Sequence, residues 1–238
     1  MTRITRLIEN AGQILTCAPD AADLVGARTN EVVAIAGSAI AAIGSREDIA
    51  AAHDLSGAER IDAGGGLVMP GFVDCHTHLV FHRSRVEEYA QKVQGRSATE
   101  IAAMGIPVGI SATARMMREA TKQDLVDSAS ERLGQMLSFG TTTVESKSGY
   151  GLDTGTEIKM LEVNQDLARS QPIEVVSTFL GAHEFPDDMS REDYIREILD
   201  VMIPEVARRG LAEFNDVYCD DGYYTVEESR AILQRGLE

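Results

Sequence analysis

From Leu67 onward, short apolar runs alternate with longer amphipathic ones, and this alternation restricts the fold more than any other feature of the chain. The short runs are Leu67-Val68-Met69-Pro70-Gly71-Phe72-Val73-Asp74, Thr141-Thr142-Thr143-Val144-Glu145, Ile173-Glu174-Val175-Val176-Ser177-Thr178-Phe179 and Asn215-Asp216-Val217-Tyr218. Their length and their β-branched and aromatic content predict strands. Between them, residues 125–137, 157–168 and 194–208 carry apolar side chains at helical spacing, as in Leu125, Ala129, Leu133 and Leu137. Strand followed by helix followed by strand implies a parallel sheet. Right-handed βαβ units build either an open doubly wound sheet or a closed barrel, and periodicity does not choose between them.

The first sixty-odd residues read differently. Val32-Val33-Ala34-Ile35-Ala36 and Ala39-Ile40-Ala41-Ala42-Ile43-Gly44 flank Gly37-Ser38, the pattern of a β-hairpin. Arg60-Ile61-Asp62-Ala63 then leads into Gly64-Gly65-Gly66, where composition shifts. The expected division is therefore residues 1–66 as a small β domain and 67–238 as an α/β domain.

Charge excludes several function classes. With 22 Lys+Arg against 38 Asp+Glu the net charge is −16, which repels a phosphate backbone and disfavours anionic membrane surfaces. Residues 1–16 lack the uninterrupted apolar stretch of a signal peptide, and no later window reaches the ~20 apolar residues of a membrane helix. Three scattered cysteines, Cys17, Cys75 and Cys219, make no disulfide framework. A cytoplasmic protein binding neither nucleic acid nor membrane is expected.

The sharpest chemical signal is Asp74-Cys75-His76-Thr77-His78, at the end of the first barrel-like strand. Residues two apart on a strand share a side about 6–7 Å apart, so His76 and His78 can converge on one metal ion while Thr77 points away. Ordinary hydrogen bonding is the commoner fate of a bare His-x-His, but the apolar strand running into this pair favours the metal. Cys75 is expected on the opposite face, in packing. Glu145 and Asp74 are candidates to accept the outer N–H of such imidazoles.

The run from Pro70 to His78 resembles the amidohydrolase superfamily, metal-dependent hydrolases on a (β/α)8 TIM barrel, and residues 1–66 look like the first half of that superfamily's small β-sandwich. Two further stretches, Thr141 to Leu152 with its Lys147-Ser148-Gly149-Tyr150-Gly151 run, and Ser177 to His183 with its Gly181-Ala182-His183 run, are similar to the imidazolonepropionase family. The resemblance covers the chain from Gly66 to its end. It implies His76 and His78 as the first two ligands of a single metal ion, Zn or Fe, and Arg85, Tyr150 and His183 around the substrate, with His183 also catalytic. It further implies hydrolysis of the cyclic amide of 4-imidazolone-5-propanoate to N-formimino-L-glutamate, in histidine breakdown, by a homodimer when full length. The roles are chemically apt: a propionate needs a fixed cation, which the overall −16 charge does not provide, and an arginine fork fits a carboxylate. Lys147, which follows a strand, is expected to be structural or supporting rather than metal-bridging.

The sequence departs from the family at His82-Arg83, where two glycines are usual, and between Ala102 and Thr113, around Ile106-Pro107, where three are usual. Both stretches are expected to be loops near the substrate. A related cyclic amide or amidine, or a deaminase substrate, therefore stays open as an alternative. Four strands are half of an eight-stranded barrel, which typically needs about 250 residues by itself. The family's other ligands, a histidine on the fifth strand and an aspartate on the eighth, and its catalytic glutamate would follow Glu238. The 238 residues alone are accordingly expected to be inactive, or to be a non-catalytic fragment or partner-binding module.

Overall fold

In the computed structural model, which describes residues 1–21 and 23–238, the runs flanking Gly37-Ser38 pair antiparallel as expected, Val32–Ala36 against Ala39–Gly44, with Ala36 opposite Ala39. Strand Arg6–Glu9 lies beside this hairpin, antiparallel to Val32–Ala36 and parallel to Glu59–Asp62, completing a four-stranded sheet. Ile4, Leu7, Val32 and Ala34 form a core with Ile49 of the helix Arg46–Ala52. Ser45 caps that helix by accepting the Asp48 N–H at 3.1 Å. Strand Gln13–Leu15 pairs with Ala27–Arg28 and Leu67–Val68 in a separate three-stranded sheet.

That last pairing corrects the first predicted strand. Residues 67–74 are not continuous: Leu67–Val68 runs parallel to Gln13–Leu15, and the next sheet begins only at Phe72. Pro70 has no N–H to give a ladder and restricts Met69 before it, so the chain breaks between the two. Two compact units result, Met1–Gly71 and Phe72–Glu238, and the first runs five residues past the expected boundary at residue 66.

In the second unit, Phe72–Thr77, Thr141–Lys147, Glu174–Ala182 and Phe214–Val217 form a four-stranded sheet in sequence order, every neighbouring pair parallel. The expected helices are present. Helix Lys122–Ser138 starts at a capping box between Thr121 and Asp124, and its Leu125, Ala129 and Leu133 are fully buried against Val144, Met160 and Val163. Helix Thr154–Ser170 is fixed to the sheet by Asn164, whose amide donates to the Ser146 carbonyl and the Ser177 hydroxyl at 3.0 Å each while its oxygen accepts from Ser146 Oγ at 2.8 Å. The third predicted helix is interrupted: Arg191–Glu197 and Ile203–Arg209 are joined by a π-helical turn, Ile198–Met202. Pro204 cannot donate to the carbonyl one turn back, which explains the widened turn.

Between the first strand and Lys122 the chain forms three helices, Val86–Val93, Ala98–Ala103 and Gly109–Glu119. The sequence around Ile106-Pro107 suggested loop throughout. Gly105 to Val108 is indeed a connection, but the following residues bury Ala112, Ala114 and Met117, a helical face obscured by its small side chains.

Alternate strand residues serve different surfaces. Val144, Ser146, Val175 and Phe179 are buried, whereas Val73, Thr143, Glu145 and Lys147 line an open cavity of about 410 Å³. No helix among the described residues is long and apolar enough to cross a membrane. Leu133→Ala removes a fully buried side chain and should cost about 2–5 kcal/mol in a urea unfolding titration; an unchanged midpoint would mean that this helix does not carry the core.

Candidate active site

Parallel pairing puts the C-terminal ends of the four strands along one edge. His78 follows the first strand, Tyr150 the second, His183 the third and Tyr218 the fourth. Their rings meet: His78 stacks on Tyr150 with centroids 4.3 Å apart and on His183 at 4.6 Å, and Tyr150 lies 5.4 Å from His183. Tyr218, which the sequence offered only as the end of a strand, reaches the His183 ring edge-on at 5.8 Å.

The His-x-His pair sits on a β-bulge. Asp74 is opposite Val144 and Thr77 opposite Ser146, so Cys75 and His76 together face Glu145 alone. The expectation that Cys75 packs is overturned: it is exposed and lines the open cavity with Glu145 and Lys147, on the same side of the strand as Val73 two residues before it. Glu145 and Asp74 also act differently than expected. Glu145 accepts from the Thr77 N–H at 3.3 Å and from Lys147 Nζ at 2.7 Å, and Asp74 accepts from the His76 backbone N–H at 3.4 Å. Neither holds an imidazole. His76 is exposed, whereas His78 is largely buried and its Nδ1 has no partner among the described residues. Burial, reinforced by the nearby charges of His183, His76 and Lys147, pushes His78 down to about 3, so the ring is neutral at ordinary pH.

Tyr150 is presented by a clamped loop. Glu157, fully buried in the first turn of helix Thr154–Ser170, accepts the N–H groups of Gly149 at 2.8 Å, Gly151 at 2.6 Å and Leu152 at 3.2 Å. Burial pushes the Glu157 carboxyl up, against these hydrogen bonds. The glycines are required here: Gly149 has φ +106°, and a Cβ on it would meet the Leu180 carbonyl oxygen at 2.9 Å, while one on Gly151 would meet the Glu157 nitrogen at 2.6 Å. Sequence reading passed over Glu157; its signal was an acidic residue in a helical first turn directly after a glycine-rich loop. The same loop fixes His183, whose Nδ1 lies 2.9 Å from the Gly149 carbonyl. A carbonyl only accepts, so Nδ1 carries the proton and Nε2 keeps its lone pair. Burial also lowers the His183 pKa.

Arg85 shares a cavity of about 210 Å³ with Tyr150 and Phe81. One arm of its guanidinium, Nη1, is held by Glu88 at 3.0 Å, and Glu88 is held in turn by Lys92 at 2.6 Å. Burial alone would raise the Glu88 carboxyl, but Lys92 and Arg85 bring it below the usual range. Lys147 is buried between Glu145 and Asp216, 2.7 and 2.9 Å away. Burial would lower its pKa; the two carboxylates reverse that and raise it, so Lys147 is an ammonium in an ion triad.

The donor chemistry of His78 suits a metal: a neutral imidazole with a buried, unpartnered nitrogen. The set is incomplete, for no three His, Cys, Asp or Glu side chains among the described residues converge as a metal site, and a catalytic zinc takes three protein ligands.

No family model matches the chain. It is 44% identical over 241 residues to an imidazolonepropionase of Geobacillus thermodenitrificans, covering 96% of this chain and 56% of that protein. It is 41% identical to one of Clostridium tetani, covering 98% and 57%, and 42% identical to one of Haloarcula marismortui, covering 86% and 48%. The chain thus spans about half the length of these curated relatives. Among solved structures it is similar to a triazine hydrolase of Arthrobacter aurescens, with TM-score 0.55 and 16% identity over 99% of this chain and 51% of that one. An Aspergillus niger ochratoxinase gives TM-score 0.56 at 16% identity (97% and 52% covered), and a 5-methylcytosine deaminase of Klebsiella pneumoniae gives 0.54 at 17% (96% and 55%). At these identities the structural likeness concerns the fold alone.

Because the folded state holds His78 neutral down to about pH 3 while the unfolded chain protonates it near 6.5, its contribution to stability is present above pH 6.5 and lost as pH falls toward 3. Metal-free protein should therefore melt at lower temperature at pH 4.5 than at pH 7, and His78→Gln should narrow that gap. An equal gap in both proteins would mean that this imidazole is not buried neutral.

Proposed function

With 41–44% identity over nearly its whole length to curated relatives, the chain belongs to the imidazolonepropionase family, and we propose that it forms the part of a metal-dependent hydrolase that receives the substrate ring and its carboxylate. The observation that carries this reading is the meeting of His78, Tyr150 and His183 at three strand ends, with Arg85 on Tyr150's cavity. In this reading the four parallel strands are the first half of a (β/α)8 barrel and Met1–Gly71 is part of a small β-sandwich. The substrate is 4-imidazolone-5-propanoate and the product N-formimino-L-glutamate: water adds to the ring carbonyl carbon and the ring C–N bond breaks.

His76 and His78 would supply two ligands of one metal ion, zinc or iron. When bound, such an ion supplies Lewis-acid polarisation and a more acidic water. The other steps fall to the chain's own side chains. Arg85, with one arm tied to Glu88, offers its remaining N–H groups to the propionate carboxylate. Tyr150 and His78, stacked on each other at 4.3 Å, form one aromatic surface against which a planar ring can pack. His183, with Nδ1 committed to Gly149, has Nε2 available to accept a proton from the ring N–H or from water. Donation to an oxyanion, the other role open to a histidine here, requires the imidazolium, which burial disfavours.

A second reading is a different small ring substrate. Arg83 and Ile106-Pro107, from the two segments that depart from the family pattern, line one cavity of about 320 Å³ that also includes Arg85. Turnover on a panel of cyclic amides and amidines, by a protein spanning the full length of the curated relatives, separates the two: formiminoglutamate formed from the imidazolone propionate supports the first, and inactivity there with turnover of another ring overturns it.

In a protein spanning the full length of the curated relatives, His76→Ala should strip the metal in elemental analysis, and unchanged metal content would remove it from the ligand set. Arg85→Ala should raise KM about tenfold or more for the propionate substrate and leave an uncharged imidazolone nearly unaffected. An equal effect on both would end the anchoring role.

A further inference from the structure

Helix Gly109–Glu119 contributes one polar group whose hydrogen-bonding capacity is unspent. Thr113 is only 3% exposed, and its Oγ1 is buried with no partner among the described residues. A threonine inside a helix commonly gives its proton to the carbonyl one turn back, which would be Gly109 here, and this one does not. A hydroxyl left in that state costs stability unless a ligand or water takes up its proton.

Its position says what that use is. Thr113 lines the cavity of about 210 Å³ that also holds Arg85, Tyr150 and Ser84. That volume is below the roughly 300–1,000 Å³ of a pocket enclosing a whole small ligand, so it fits one end of a ligand. The nearby backbone donor is already committed, because the Gly109 N–H goes to Glu88 Oε1 at 3.3 Å. Glu88 is shared by Arg85 and Lys92, so two cations surround one carboxylate and the local charge is positive although the chain is strongly acidic. A hydroxyl with its proton unspent and a partly free guanidinium, on two residues that line one cavity, offer two points of attachment to an anion, since O–H···O⁻ bonds are among the stronger ones.

We propose that Thr113 is a specificity-determining residue whose hydroxyl donates to the ligand carboxylate that Arg85 anchors. The inference rests on the reading of Arg85 as that anchor, and adds a second, uncharged contact from a different helix. Thr113 touches the non-reacting end of the ligand, so its effect falls on binding rather than on the chemical step.

The test is direct binding of 3-(imidazol-4-yl)propanoate and of uncharged 4-propylimidazole to the full chain by calorimetry, with Thr113→Val, Thr113→Ser and Arg85→Ala beside the unaltered protein. Thr113→Val keeps the shape and removes the donor. It should weaken the propanoate about tenfold and change 4-propylimidazole by less than about twofold, while Thr113→Ser stays close to the unaltered protein. Its melting temperature should be unchanged or higher, because an unsatisfied buried hydroxyl has been removed. If Thr113→Val affects both probes alike while Arg85→Ala selectively weakens the propanoate, the threonine contact is wrong and the arginine anchor stands. If Arg85→Ala has no selective effect, or the unaltered chain does not prefer the propanoate, both fall. A marked loss of melting temperature in Thr113→Val would show a structural partner for the hydroxyl and overturn the proposal.

Discussion

Parallel strand pairing is the constraint on which the second unit depends. Each strand must be followed by a crossover before the next can pair in the same direction, so all four strands end on the same edge and the residues just past those ends become neighbours. His78, Tyr150, His183 and Tyr218 are scattered along the chain yet share one aromatic cluster for this reason alone. The helices that make the crossovers also bury the outward strand residues, which is where the apolar core of Leu125, Leu133, Val144 and Met160 forms.

Buried polar groups do the finer positioning. Asn164 ties a helix to two strands, Glu157 gathers three backbone donors of the loop carrying Tyr150, and Lys147 joins the second strand to the fourth through Asp216. Each would be costly if unpaired, and each is paired, so these segments have little freedom to move. Thr113 Oγ1, like the buried hydroxyls of Thr178 and Ser229, has no such partner among the described residues, and of these three only Thr113 lines the cavity shared with Arg85. The site is also electrically divided: neutral imidazoles beside Tyr150, a carboxylate-balanced ammonium on the open face of the sheet, and a net positive corner at Arg85 and Lys92.

Much of the architecture was legible along the chain. Leu125, Ala129 and Leu133 recur at helical spacing and are buried as that spacing demands; the Gly37-Ser38 hairpin forms where its turn residues stand. Local rules fail where a local cause competes with a distant one. Leu67 and Val68 look continuous with Phe72 and Val73, but they pair with Gln13–Leu15, a partner no local pattern reveals. The alanines of helix Gly109–Glu119 give a weak apolar signal because their burial depends on what packs against them.

Periodicity and short motifs are local properties of the chain, and they suffice for the alternation of strands and helices and for the family, and to single out His76, His78, Arg85, Tyr150 and His183 as candidates. What those patterns do not contain is that Cys75 lines an open cavity instead of packing, and that Glu157 clamps the loop of Tyr150 while Asp216 pairs with Lys147. The same contacts leave His183 Nε2 rather than Nδ1 for chemistry, and bring Thr113, whose hydroxyl has no partner among the described residues, to the lining of Arg85's cavity. Those features depend on strand register, on burial and on which donor is already taken, and all three are fixed by residues far apart in the sequence.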